Sequence, residues 1–165
     1  PVLMRRASPD RLTRLVGLEA AAAVPGDPVR RLMALAVEGE ADIARLREAL
    51  RLTNAEVRRM EALLPARPDL HAHVALYRLG VALYRDAVLL TGAARRWADW
   101  AEAYALPEEW LPPPFELTGA DVLGLGVPKG PAVGEALAMA DRAWIAAGFP
   151  AGRAAQAQFL RVPQG

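Results

Sequence analysis

The chain has no cysteine, which removes disulfide frameworks, thiol chemistry and cysteine-ligated zinc from the possible functions. Serine occurs once, in Ser8-Pro9-Asp10, a sequence suited to starting a helix rather than attacking a substrate. Lysine also occurs once, at Lys129. Aromatic residues make up 6% of the 165 residues. β-Branched residues are sparse and no stretch alternates apolar with polar, so strands are not expected. No apolar run approaches the ~18–20 residues of a membrane span, and no signal peptide is visible, so the expected location is the cytoplasm. Asp-x-Asp pairs that hold two magnesium ions and His-Asp dipeptides are both missing. Net charge is only +1. That argues against indiscriminate polyanion binding and leaves room for a local basic face.

What is present is helical punctuation. Ser8-Pro9-Asp10 and Asp27-Pro28 are start signals, with a capping residue, proline in the first turn, or both. Thr53-Asn54-Ala55-Glu56 is a capping box, and Gly39 separates two periodic apolar runs. Leu70, Val74, Tyr77, Val81, Tyr84 and Val88 form one stripe, with Leu76, Leu79, Leu83 and Leu90 forming another. A helix apolar on nearly every side belongs at the centre; Gly80 is a candidate kink and Gly92 a candidate end. Trp97, Trp100 and Tyr104 are spaced to share one face of a further helix, where core packing competes with base stacking. The fold class is all-α: an irregular array of about seven to nine helices with a C-terminal Gly/Pro-rich hairpin. Residues 1–105 read as a helical body, 106–114 as a Pro-rich connector, and 115–165 as a helical tail.

Residues 117–137 (LTGADVLGLGVPKGPAVGEAL) concentrate five glycines, two prolines and Lys129. They read as helix, tight loop, helix. Thr118 and Asp121 form a capping box, and Pro131 opens the second helix at its first position. Free amides at that helix start, beside glycines and Lys129, have the composition of an anion site. The competing reading is that the glycines only let two helices pack. The stretch lacks the order of a P-loop, and no strand precedes it as a dinucleotide fingerprint requires. The closer analogy is the helix-hairpin-helix, which grips nucleic-acid backbone.

No catalytic constellation appears. Glu38, Glu40 and Asp42 suit a helix start; His71 and His73, two apart, face different sides of a helix and cannot share an ion. The arginines cluster at Arg5/Arg6/Arg11/Arg14, Arg30/Arg31, Arg45/Arg47/Arg51, Arg58/Arg59 and Arg95/Arg96. Each cluster reads either as a solvated face with intrahelical pairs, such as Glu48 with Arg51 or Arg45, or as part of a stripe for phosphates.

Two stretches resemble the C-terminal half of bacterial CCA-adding tRNA nucleotidyltransferases and their poly(A) polymerase relatives. Residues 46–64 (LREALRLTNAEVRRMEALL) resemble the body segment in which a helix ends in LRLSNAE. Residues 115–144 resemble the tail, with LTG-D at Leu117–Asp121, LG at Leu125–Gly126 and GP-x-VG at Gly130–Gly134 leading to Trp144; residues 77–86 (YRLGVALYRD) fit between. The resemblance spans about residues 11–149. It implies the tRNA-holding portion of a template-independent polymerase whose catalytic head and neck lie outside this sequence. The parent is expected to use Mg2+ with CTP and ATP, with no cofactor and no catalytic or metal-binding residue here. Expected partners are the tRNA acceptor arm and elbow and the same protein's head and neck, with no membrane. The residues expected to touch RNA phosphates are Gly126, Lys129, Gly130, Val133 and Gly134 in the hairpin, and Arg47, Arg51, Arg58 and Arg59 around the Thr53 capping box. A parent that makes poly(A), or adds only C or only A, would look the same here. The alternative from another class is a free-standing all-α module that binds a protein or nucleic acid.

Overall fold

A computed structural model describes residues 7–160. Among them every regular element is a helix, nine in all. The chain divides into two compact units between Leu111 and Pro112, inside the Pro-rich connector. The helical body continues through Glu109, past the expected boundary at residue 105, because Leu106 and Pro107 belong to its last helix.

The first unit holds α1 (Pro9–Ala21), α2 (Pro28–Ala36), α3 (Glu40–Leu50), α4 (Asn54–Leu63), α5 (Ala72–Arg95) and α6 (Trp100–Glu109). Pro9 and Pro28 occupy the first positions of their helices, where a missing N–H costs nothing. Asp27 caps α2 by accepting the Arg30 N–H at 2.8 Å. Ser8 departs from expectation: its hydroxyl caps nothing. Its backbone instead receives the Arg11 and Leu12 N–H groups and donates to the Leu35 carbonyl at 2.7 Å. The acidic trio resolves as a helix start, since the Asp42 carboxylate accepts the Glu38 and Gly39 N–H groups at 3.0 and 3.3 Å. Arg45 pairs with Asp42 at 2.8 Å, not with Glu48.

α5 is the central element and packs against α1, α2, α4 and α6. One core cluster joins Val29 and Met33 to Ile43, Leu46, Val57, Met60 and Ala87. A second sets Leu15 and Ala34 against Leu89 and Ala93. A third surrounds Leu76, Tyr84 and Val88, with Trp97, Trp100 and Trp110 packed on it. Both Trp97 and Trp100 thus serve the core, and Trp97 precedes α6 rather than sharing its face. Gly80 breaks α5 into two helical stretches with φ 72° and ψ 167°, a conformation open to glycine and costly for other residues. Gly92 does not end α5, which runs on to Arg95 and closes at Arg96 in the left-handed region. A Cβ on Gly92 would lie 2.9 Å from Leu18 Cδ1; the glycine admits α1 closely.

The second unit contains α7 (Gly119–Gly124), α8 (Pro131–Ala146) and α9 (Arg153–Ala157). Val122, Val127 and Ala136 form its small core, with Val133, Leu137 and Leu160 against it. Trp144 is fully buried, edge-to-face with Phe149 and tilted against Phe115, with ring centroids 5.0 and 5.3 Å away. Its indole N–H donates to the Pro150 carbonyl at 2.9 Å. Gln156, also fully buried, accepts the Glu116 N–H at 2.7 Å and donates to the Pro114 carbonyl at 2.8 Å. It thereby ties the start of the unit to its last helix. The last five residues lie outside the described residues, as do Arg5 and Arg6.

Candidate nucleic-acid interface

The hairpin is built from its capping chemistry outward. The Asp121 carboxylate accepts the Thr118 N–H at 2.7 Å and the Thr118 hydroxyl at 2.9 Å. These two bonds, with Arg153 beside the carboxylate, hold Asp121 below the ordinary range. Leu125 and Gly126 close α7 through N–H bonds to Val122 and Leu123. Val127 then plugs the hairpin core, which turns Pro128, Lys129 and Gly130 outward. Gly130 precedes Pro131 with φ 131°, and Gly126 has φ 84°; side chains larger than glycine are strained at both. No side chain caps the start of α8, and the Val133 N–H turns back to the Gly130 carbonyl at 3.1 Å.

The five hairpin residues therefore split by role. Lys129, Gly130 and Gly134 are exposed around the α8 start, as is Gly126. Val133 is half-buried and packs inward. A Cβ on Gly134 would meet nothing within 4 Å, so close packing does not require a glycine there. The positive-φ glycines shape the turn, and the α8 start with Lys129 is exposed to solvent.

In the first unit, three of the four predicted arginines share the α3–α4 corner and are exposed: Arg47, Arg51 and Arg58. Arg47 donates to the Asn54 side chain at 2.9 Å. Arg51 closes α3 with φ 55°. The corner itself is held by Glu56, whose carboxylate accepts the Thr53 N–H and hydroxyl, each at 2.7 Å.

Arg59 turns the other way. It pairs with Asp86 at 2.6 Å and with Asp27 at 2.9 Å. Burial pushes its guanidinium pKa down, but these two carboxylates raise it further, to a net elevation. Asp86 also receives Arg30 at 2.6 Å, and Arg30 reaches Glu19 at 2.8 Å. Glu19 in turn holds Arg31 at 2.9 Å. Much of the arginine content works in this way. Arg11 donates to the Ala34, Met33 and Val37 carbonyls, and Arg14 donates to the Ala93 carbonyl at 2.6 Å. Sequence reasoning missed this network. Its signal was Asp86, the one acid on the central helix α5, and a second acid, Glu19, among alanines and leucines.

Among the described residues no cluster of acidic or histidine side chains could hold a metal ion. Asp42, Asp69 and Asp86 are engaged by arginines. No described helix is long and apolar enough to cross a membrane.

These features define a class: an all-α protein of two compact units, with exposed arginines at the capped α3–α4 corner of the first and exposed Lys129 beside the uncapped α8 start of the second. Beyond that class, no family model, curated protein or solved structure matches the chain.

Proposed function

We propose that this chain is the tRNA-binding C-terminal portion of a template-independent tRNA nucleotidyltransferase that adds CCA, or part of it, to tRNA 3′ ends in the cytoplasm. Catalysis would belong to a head and neck outside this sequence, using Mg2+ with CTP and ATP. The observation that carries the reading is the uncapped start of α8 beside exposed Lys129. It falls within the stretch whose sequence resembles that family's tail. A helix N-terminus and one lysine attract a phosphate through partial and full positive charge. Arg47, Arg51 and Arg58 supply the same chemistry in the first unit, and RNA would be held by its backbone and shape.

Binding to a tRNA lacking its 3′ CCA, titrated across salt concentration, tests the proposal. The chain should bind, with affinity falling steeply as salt rises. Lys129→Ala should lower affinity at low salt and reduce the salt slope by about one counterion, with the melting temperature unchanged. Equal binding by wild type and Lys129→Ala at low salt would eliminate the hairpin phosphate site. The protein-interaction reading rests on Leu123, Leu125 and Met139, which stay 38%, 50% and 45% exposed in the second unit. Salt-insensitive or absent RNA binding would favour it.

A further inference from the structure

The first unit contains a cleft of about 280 Å³ that the RNA reading leaves unused. Its floor is aliphatic, supplied by Met33, Val37, Leu63, Leu64 and Leu90, with no aromatic ring among its lining residues. At its rim stand two guanidiniums, Arg67 and Arg95, which share one carboxylate. Asp69 accepts both Arg67 nitrogens at 3.0 Å in a fork-to-fork pair, while Arg95 Nε lies 3.6 Å from the same Asp69 oxygen that Arg67 Nη2 reaches. Two positive charges are thus held together by a single negative one. Arg95 is half exposed, its side chain 52% accessible, and Arg67 has donors beyond the two that Asp69 takes.

The remaining charged groups set the size of that surplus. Arg11 lines the cleft, but its donors are directed to the Ala34, Met33 and Val37 carbonyls at the end of α2. Glu38 also lines the cleft and opposes a second negative charge. Thr91 adds a polar residue to the wall. The cleft therefore suits one anionic group, not a dianion such as a phosphate monoester.

We propose that this cleft binds a small aliphatic carboxylate. The acid group bridges Arg67 and Arg95, and the hydrocarbon chain lies on Met33, Val37, Leu63 and Leu90. Guanidinium forks match carboxylate geometry, and a pocket that sets apolar side chains beside convergent polar groups is a form small-ligand sites take.

Calorimetric titration of the full chain with octanoate is the test, with octylamine and 1-octanol as controls of inverted and absent charge. Octanoate should bind, and octylamine should not. Arg95→Gln, at an exposed position, should weaken octanoate on the order of tenfold, as expected for loss of one charge-assisted hydrogen bond. Leu90→Asn should weaken it too, and Arg47→Gln, at the distant α3–α4 corner, should not. Circular dichroism melts of each variant separate a lost site from a lost fold. No octanoate binding by wild type, equal binding of 1-octanol, or full affinity in Arg95→Gln would each overturn the proposal. The RNA titration is independent of all three outcomes.

Discussion

Arg30 Nη1 lies 2.6 Å from Asp86 Oδ1, across a contact between α2 and α5 that water scarcely reaches. Their side chains are 7% and 10% accessible. Asp86 also receives Arg59 from α4, and Arg30 also reaches Glu19 on α1, so four helices meet in one chain of alternating charge. An ion pair in such a place need not exceed a hydrophobic pair in stability, but removing one partner strands the other.

Asp86→Ala should therefore be severe. It leaves both Arg30 and Arg59 without their shared carboxylate, and the expected loss is about 3–5 kcal/mol. Urea unfolding at neutral pH measures it. A loss under ~1 kcal/mol would mean that water enters the network and that it is not a buried structural element.

Acid should unfold the protein through a specific set of carboxylates. Asp42 is held below the ordinary range, first by the Glu38 N–H and then by Arg45 and the Gly39 N–H. Asp69 is lowered chiefly by its Arg67 fork. For Asp27, burial pushes upward, but the Arg30 N–H and the Arg59 guanidinium lower it overall. A depressed folded-state pKa favours the native state above the unfolded value of ~3.9, and that contribution is lost as pH falls through the lower folded values. The melting temperature should hold from pH 7 to about 5 and then drop from about pH 4 downward. Asp42→Asn should flatten the drop; a melting temperature constant to pH 2 would contradict this account.

Gln156→Leu should destabilise the second unit more than its size change suggests. The substitution keeps the volume nearly constant but strands the Glu116 N–H and the Pro114 carbonyl, both bonded to Gln156 alone among side chains. Pro114 and Glu116 are exposed residues, so water can partly replace the lost bonds, and the expected cost is about 1 kcal/mol for each bond. Trp144 fluorescence should report the loss at lower urea than in wild type, while Gln156→Glu, which keeps the acceptor, should retain part of the stability.

Thr53→Ala should cost about 1 kcal/mol, the usual value of an N-cap. The Thr53 hydroxyl accepts the Glu56 N–H at 3.3 Å and donates to the Glu56 carboxylate at 2.7 Å, so Glu56→Ala leaves the N-cap bond in place, and the double variant should cost more than either single change but less than their sum. A double-mutant cycle showing simple additivity would separate the two residues' roles.

The helix starts were legible because proline, threonine and aspartate act within three or four residues of where they stand. Asp27-Pro28, Thr53–Glu56, Thr118–Asp121 and Pro131 each signal a start that the structure contains. Gly80 was legible for a similar reason, as a glycine inside a run of apolar residues. The helix ends were harder to read. Arg51 and Arg96 take left-handed backbone conformations that glycine ordinarily supplies, so composition pointed to Gly92 instead. The arginines were hardest, because their function depends on partners far along the chain. Arg30 and Asp86 are 56 residues apart, and nothing local distinguishes Arg59, which faces inward, from Arg58, which faces out.

Arg11 shows what such distant pairing does to a helix boundary. The α2 helix has no glycine at its end and no basic residue in its last turn. Its terminal carbonyls are met by a guanidinium from α1, 22 to 26 residues upstream. The stopping point of α2 is therefore encoded in another helix. A peptide of α2 alone would lack the instruction to stop, and a rearranged gene that separated the two helices would lose it as well.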